Sequence, residues 1–243
     1  MMKITITKSE TEFFQTAAKR IIAQIIQKRD AVIGLATGRT TTPIHAAVCD
    51  IYRQRPFDVS KITVFAMDEV TNVSREFAGS CYAMILNQIV MPLGIPAVNF
   101  IMPPTRSDDW VAEAKLFEQR LAERGGVDLQ ILGIGENGHL GFNQPGTPFE
   151  SACWHSRMDR ELEARLRRES QSADNVVLGG LTLGIKNIMQ SRKIVLAANG
   201  SHKARIIVAA LNGPITPDVP ASVLQLHPDC EVILDPAAAE YLP

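Results

Sequence analysis

Nowhere does the sequence reach the ~18 consecutive apolar residues that a membrane-spanning helix requires, so no contact with a membrane is expected. The first residues, MMKITITKSETEFF, lack the apolar stretch and small-residue cleavage pattern of a signal peptide. Cysteine is sparse: Cys49, Cys81, Cys153 and Cys230 are scattered, with no CxxC spacing. That argues against a zinc ribbon or disulfide framework and points to a reducing, cytoplasmic location. An excess of one charge is absent too. Lys+Arg number 25 against 26 Asp+Glu, so neither a nucleic-acid surface nor an acidic solvating tail is expected. The partner indicated is a small molecule. No repeat, low-complexity tract or Pro/Gly/Ser linker interrupts the chain. Its 243 residues, 46% hydrophobic, are therefore read as a single domain over 1–243.

What is present is an alternation. Lys3 to Thr7 reads as a β-branched strand. Ser9 and Glu12 then form an S-x-x-E helix start, followed by Phe14, Ala17, Ala18, Ile21, Ile22 and Ile25 at helical spacing. Short apolar runs recur at Ala31–Ala36, Ile62–Met67, Leu129–Ile134, Ile194–Ala198 and Val232–Leu234. Helical stretches lie between them, roughly over 41–53, 79–91, 109–124, 158–171 and 202–212. Strands alternating with helices predict the α/β class: a mostly parallel, doubly wound, Rossmann-like sheet with helices on both faces.

Three of the apolar strands end in polar clusters, and in such sheets ligands bind at the carboxyl edge. The first cluster is Thr37-Gly38-Arg39-Thr40-Thr41-Thr42. Small hydroxyl residues and bare amides before a helix make an anion site, although the stretch is equally an ordinary capped turn. It is not a Walker loop, since no Gly-Lys-Ser/Thr follows. The second is Asp68-Glu69, which could supply a general base at a strand end or simply an acidic surface turn. The third runs GENGHLGFNQPG from Gly135 to Gly146. Gly133 to Gly138 formally matches G-x-G-x-x-G. Pro145 and Gly146 nevertheless break the helix a dinucleotide site needs, and no ribose-binding acid follows, so no such cofactor is expected. A glycine-flanked His139 fits catalysis better, because imidazole titrates near neutrality. Arg168, in RELEARLRRES, reads by itself as part of a solvated face. Lys203, in GSHKAR after the strand IVLAA, could clamp a phosphate.

Together these stretches resemble the glucosamine-6-phosphate deaminase/isomerase family, related more distantly to 6-phosphogluconolactonases. The resemblance runs from about Ala31 to Pro228. It rests on LATGRTTTP, on TVFAMDE followed by Ser80-Cys81-Tyr82, on DLQILGIGENGHLGFNQPG, on GSHKA and on PASVLQLHP. GHLGFN discriminates, since lactonases look more like GHTASLFP there. The resemblance implies a metal-free, cofactor-free reaction on a 2-amino-2-deoxyhexose 6-phosphate. A proton moves from C2 to C1, and ammonia leaves to give a ketose phosphate. By the same resemblance Asp68 carries the C2 proton and His139 opens the ring, with Asn137 and Gln144 beside it. Thr37, Gly38, Thr40, Arg168 and Lys203 are then the phosphate cradle; Glu69, beside Asp68, and Arg39, which either adds a cation to that site or narrows it, are further candidate substrate contacts.

The sequence departs from the family pattern in three places. Long, allosteric members hold the ring-opening histidine between an Asp and a Glu, where this chain has Asn137 and Gln144. Neutral amides orient an imidazole but cannot stabilise its cation by charge. Arg39 stands where TGGT or TGAT is usual. Trp154 and Ser156 replace the basic residues that bind the allosteric activator, so such control is not expected. The lack of a long C-terminal extension agrees with this and argues against a hexamer, though a homo-oligomer is compatible with the sequence. The substrate reading covers glucosamine 6-phosphate and epimers such as galactosamine 6-phosphate. Its rivals are an isomerase or lyase for another phosphorylated sugar, and a non-catalytic sugar-phosphate sensor.

Overall fold

The computed structural model describes residues 2–158, 160–173 and 175–242, apart from the side chain at position 161. The expected strands are all present with trimmed or extended ends: β1 (Lys3–Ile6), β2 (Val32–Leu35), β3 (Thr63–Ala66), and later β6 (Leu129–Leu132), β9 (Ile194–Ala198) and β10 (Cys230–Leu234). With the short β5 (Phe100–Ile101) they form one seven-stranded sheet in the order β1-β10-β9-β6-β2-β3-β5, in which every pairing is parallel.

Helices cover both faces because the strands are apolar on both. On β2 and β3, Ile33, Leu35, Val64 and Ala66 face one core, packed under α1 (Glu10–Gln27) and α2 (Thr41–Gln54). Their neighbours Val32 and Phe65 face the other, with α5 (Trp110–Glu123) and α8 (Ala204–Asn212). This is the period-two alternation of a strand buried on both sides. The α1 start matches the sequence signal closely. Ser9 Oγ accepts the Glu12 N–H, while the Glu12 carboxylate reaches back one residue further than a capping box would, to the Lys8 N–H. The buried stripe starts at Phe13 rather than the expected Phe14, which is only half-buried. Phe13, Ala17, Ile21 and Ile25 stand four apart, one above the next along the helix.

Two expectations need correction. The helix foreseen over 79–91 is three pieces: α3 (Cys81–Ile85), a π turn (Leu86–Val90) and α4 (Met91–Leu93), closed by left-handed Gly94. Pro92 has no N–H to offer the Gln88 carbonyl four residues back, and that carbonyl accepts the Cys49 thiol instead, at 3.1 Å. Asp68-Glu69 does not lie in a loop either. It begins β4 (Asp68–Thr71), which pairs antiparallel with β8 (Gly179–Thr182). The latter in turn pairs with β7 (Trp154–Arg157), making a small second sheet. Gly180 lets this sheet close over Phe142, since a Cβ there would lie 2.1 Å from the Phe142 ring. The elements α6 (Arg160–Ser170) and α7 (Ile185–Met189) flank β8 in sequence.

Strand order locates the site. From β2 the chain steps outward to β3 and β5, then returns to lay β6 on the opposite side of β2. The reversal opens a crevice at the carboxyl ends of β2 and β6, which is where open α/β sheets bind ligands. The strand ends on either side, β9 and β3, complete a row of four neighbours.

Candidate active site

All three clusters singled out in the sequence, together with Lys203, hang from those four adjacent strand ends. Beyond β2, Gly38 has φ +136°, a conformation that side chains resist, and its carbonyl accepts the Thr42 N–H as well as the Thr41 and Thr42 hydroxyls. Thr40 occupies the N-cap position of α2 but does not cap it. Its hydroxyl donates instead to Asn199 Oδ1 beyond β9, at 2.8 Å. A fourteen-residue helix thus presents its N-terminal amides uncapped by a side chain, with no acid in its first turn. Such an end attracts an anion.

Arg39 and Lys203 lie near this end. Lys203 is half-buried at the start of α8. Burial pushes its pKa down, the nearby Glu136 carboxylate pulls it up, and the Arg39 guanidinium lowers it again. Those opposing influences put Arg39 and Glu136 each within electrostatic reach of Lys203. Arg39 is exposed at the tip of the β2 loop, and Arg168 is exposed on α6.

Beyond β3, Asp68 is buried, with no cation beside it among the described residues. Burial pushes its pKa up to about 6, opposed only by the Cys81 thiol, which donates to Oδ1 at 3.5 Å. Oδ2 lies against Gly141, where a Cβ would come within 3.0 Å of it. A carboxylate poised near neutrality can both take and return a proton. Glu69, expected as a substrate contact, lies inside the fold. It is fully buried, and its oxygens accept the backbone N–H groups of Val70 (2.7 Å), Cys81 (2.8 Å) and Tyr82 (2.7 Å). Its task is to pin the first turn of α3 onto β4. Burial holds its pKa up at about 7 against the pull of those three donors.

Beyond β6, a chain of amides orients His139. The Asn137 Oδ1 accepts the His139 backbone N–H at 3.2 Å, so that oxygen, not the amide nitrogen, faces the imidazole. Nδ1 lies 2.8 Å from the same oxygen and must therefore carry the ring proton. The neutral ring then has its lone pair on Nε2, the form a general base needs. Asn137 Nδ2 in turn donates to Gln144 Oε1 at 3.0 Å. This leaves Gln144 Nε2 buried, with no hydrogen-bond partner among the described residues. Glycine is required beside this ring, since a Cβ on Gly135 would lie 2.3 Å from its atoms.

Several residues that position the site carried no role in the sequence reading. Cys81 touches both Asp68 and Thr37, the latter at 3.1 Å. Its Ser-Cys-Tyr context was visible, but not its reach across two loops. Asn199 holds Thr40 and is itself held, its amide donating to Glu10 at 3.0 Å. Its position directly after a strand was the available signal. Trp154 and Ser156, noted only as substitutions, hold the β6 loop from behind. Trp154 Nε1 donates to Asn143 Oδ1 (3.0 Å), and Ser156 Oγ to the Phe142 carbonyl (3.1 Å). Among the described residues, no group of three or more His, Cys, Asp or Glu side chains could hold a metal ion. A cavity of about 730 Å³ lies away from these loops, between β5 and α5, lined by Arg75, Phe100, Met102, Arg106 and Arg120 among others.

Known proteins resemble this arrangement over its whole length. The family model of glucosamine-6-phosphate isomerases/6-phosphogluconolactonase matches residues 8–233. A glucosamine-6-phosphate deaminase of Clostridium botulinum (strain Loch Maree / Type A3) is 38% identical over 241 residues, 99% of each chain. One from Clostridium acetobutylicum is also 38% identical, covering 99% of this chain and all of its own. Among solved structures, a monomeric glucosamine-6-phosphate deaminase superposes with a TM-score of 0.92 at 33% identity, over 98% of this chain and 99% of that one. The 6-phosphogluconolactonase of Trypanosoma brucei, with a TM-score of 0.81 at 19% identity over 100% of this chain and 99% of its own, shares the fold.

Proposed function

We propose that this chain, which belongs to the family of glucosamine-6-phosphate isomerases and 6-phosphogluconolactonases, converts glucosamine 6-phosphate and water to a ketose 6-phosphate and ammonia. The observation that carries this reading is a buried Asp68, with no cation beside it among the described residues, and a His139 whose proton is fixed on Nδ1, on strand ends flanking an uncapped helix N-terminus.

The phosphate sits on the amides of the Gly38–Thr41 turn, with the Thr37 and Thr40 hydroxyls and the charges of Lys203, Arg39 and Arg168 around it. A dianion in this place satisfies helix amides that no side chain caps, and the Thr37 and Thr40 hydroxyls can turn to it from Cys81 and Asn199. His139 Nε2 takes the anomeric hydroxyl proton as the ring oxygen is protonated, and the pyranose opens. Asp68 removes the proton at C2 and returns it to C1, while the C2 amine gives up a proton and the C1 oxygen takes one up. The C2 imine so formed adds water and expels ammonia, leaving the ketone. Since Asp68 must be ionised to start, activity rises through about pH 6. The reading places the enzyme in the cytoplasm with phosphorylated sugars as partners. A homo-oligomer is compatible with it, although the similar deaminase structure is a monomer, and sedimentation velocity distinguishes the two.

The experiment is release of ammonia and ketose 6-phosphate from glucosamine, galactosamine and mannosamine 6-phosphates, with glucose 6-phosphate as control. Ammonia from glucosamine 6-phosphate above the other two is the expected result. Isomerisation without ammonia overturns the deaminase, and tight binding without turnover points to a sensor.

A further inference from the structure

Cys81 takes no part in the steps above, yet its sulfur lies between the two halves of the site. It is the first residue of α3, and the start of that helix is fixed from two sides. Glu69 holds the Cys81 and Tyr82 N–H groups, and Ser80 Oγ accepts the Ala83 N–H at 3.0 Å. The sulfur is thereby set 3.5 Å from Asp68 Oδ1 and 3.1 Å from Thr37 Oγ1. Burial, with the Asp68 and Glu69 charges, pushes the thiol pKa well up, so the sulfur keeps its proton. That single proton has two acceptors within reach. While it points at Asp68, the Thr37 hydroxyl can donate to the sulfur. If the Thr37 hydroxyl donates elsewhere, its oxygen can accept the S–H.

We propose that Cys81 is a positioning residue that couples phosphate occupancy to the basicity of Asp68. A substrate phosphate oxygen draws the Thr37 O–H, the Cys81 S–H turns from Asp68 Oδ1 to the Thr37 oxygen, and the carboxylate loses a donor. No bond between heavy atoms changes; two X–H groups rotate. A donor to a carboxylate favours its charged form, so losing one makes Asp68 the stronger base. Binding energy at the phosphate then serves the chemistry at C2, five bonds away on the sugar chain, only when a phosphorylated substrate is seated. The inference rests on Asp68 as the proton carrier and on the Thr37 loop as the phosphate cradle.

The groups around Asp68 are few. Glu69 adjoins it on β4, and Cys81 approaches from α3; both titrate. Thr182 on β8, its partner in the small sheet, and Gly141 from the β6 loop do not. The test is therefore a set of pH profiles. The acidic limb of kcat/KM reports the free enzyme and that of kcat the complex. Cys81→Ala should raise the kcat/KM limb by about half to one pH unit, leave the kcat limb in place, and so narrow the gap between them. Cys81→Ser, which keeps a donor, should restore the gap. Thr37→Val should narrow it from the other side, by lowering the kcat limb, because the S–H then has only Asp68 to serve. The phosphate's own charge raises the complex limb in every variant alike, so the differences between variants read the relay. Equal gaps in all four proteins overturn the proposal, as does a Ser variant that behaves like Ala. Thr37→Val and Cys81→Ser decide the matter if Cys81→Ala does not fold. Asp68→Asn separates the two levels. Retained turnover there removes the reading of Asp68 itself, whereas a dead Asp68→Asn with unmoved limbs elsewhere removes only the relay.

Discussion

Buried carboxylates on opposite flanks of the central sheet meet opposite surroundings. Glu231, on β10 beside the edge strand β1, is gripped by Arg20 through two hydrogen bonds of 2.7 and 2.8 Å, by Lys3 at 3.2 Å and by the Thr5 hydroxyl at 2.9 Å. The Arg20 bonds chiefly hold its pKa down at about 2. Asp68 and Glu69, on β4, have backbone amides and a thiol for company and, among the described residues, no cation, and burial holds them up at about 6 and 7. The difference teaches what distinguishes a clamp from a reagent. A carboxylate paired with guanidinium stays charged under all ordinary conditions and fastens strands together. One that is desolvated without a counter-charge exchanges its proton near neutral pH.

The two groups also bias stability in opposite directions along the pH scale. Glu231 has a lowered folded-state pKa, so its contribution is present above about pH 4.3 and is lost as pH falls through about 2. Asp68 and Glu69 have raised values, so folding is favoured most below about pH 4 and loses their contribution as pH rises through 6 and 7.

Substitutions can break or sharpen this contrast. The largest effect is expected from Asp68→Asn, which removes the reagent but not the fold. Ammonia release should fall by about 10³-fold or more, while sugar-phosphate binding measured calorimetrically stays within a few-fold of the original. On the clamp side, Glu231→Gln should cost roughly 2 kcal/mol and lower the melting temperature by about 4–8 °C, with activity per folded molecule unchanged. A drop in activity without a drop in melting temperature would erase the distinction. Glu69→Gln should flatten the decline in melting temperature between about pH 4 and 7, at a constant cost of about 1 kcal/mol from a lost backbone bond. An undiminished slope would assign the titration to another group. The smallest change is expected from Gln144→Glu. A carboxylate in place of the amide accepts from Asn137 as before and adds charge near the imidazolium, so turnover should rise a few-fold. A loss would show that the site is tuned around the Gln144 Nε2 donor.

How much of this could be read beforehand differs from residue to residue. The parallel sheet, the crossovers and the α1 start followed from local signals: apolar runs of strand length, helical spacing, and Ser9 with Glu12. The TGRTTT turn and the GENGHLGFN loop announced themselves through glycines at strand ends, where backbone must bend or approach a ligand. Less was legible where chain-distant groups act on one another. Glu69 looked like a ligand contact because it follows Asp68. Only the folded packing of α3 on β4 shows its oxygens committed to amides twelve and thirteen residues away. The Phe13-for-Phe14 difference is of the same kind, since both suit a helical stripe and only the sheet beneath decides which ring turns inward.

The sequence by itself determined the class of fold, the strand ends that carry chemistry and the residue types available there, because these depend on interactions within a few residues. Strand order, the β4-β8-β7 sheet and the convergence of four loops were decided by tertiary structure. So were the raised proton affinities of Asp68 and Glu69. Desolvation belongs to the assembled surroundings of a group rather than to the group itself, and a carboxylate acquires it only when helix, sheet and loops have closed around it.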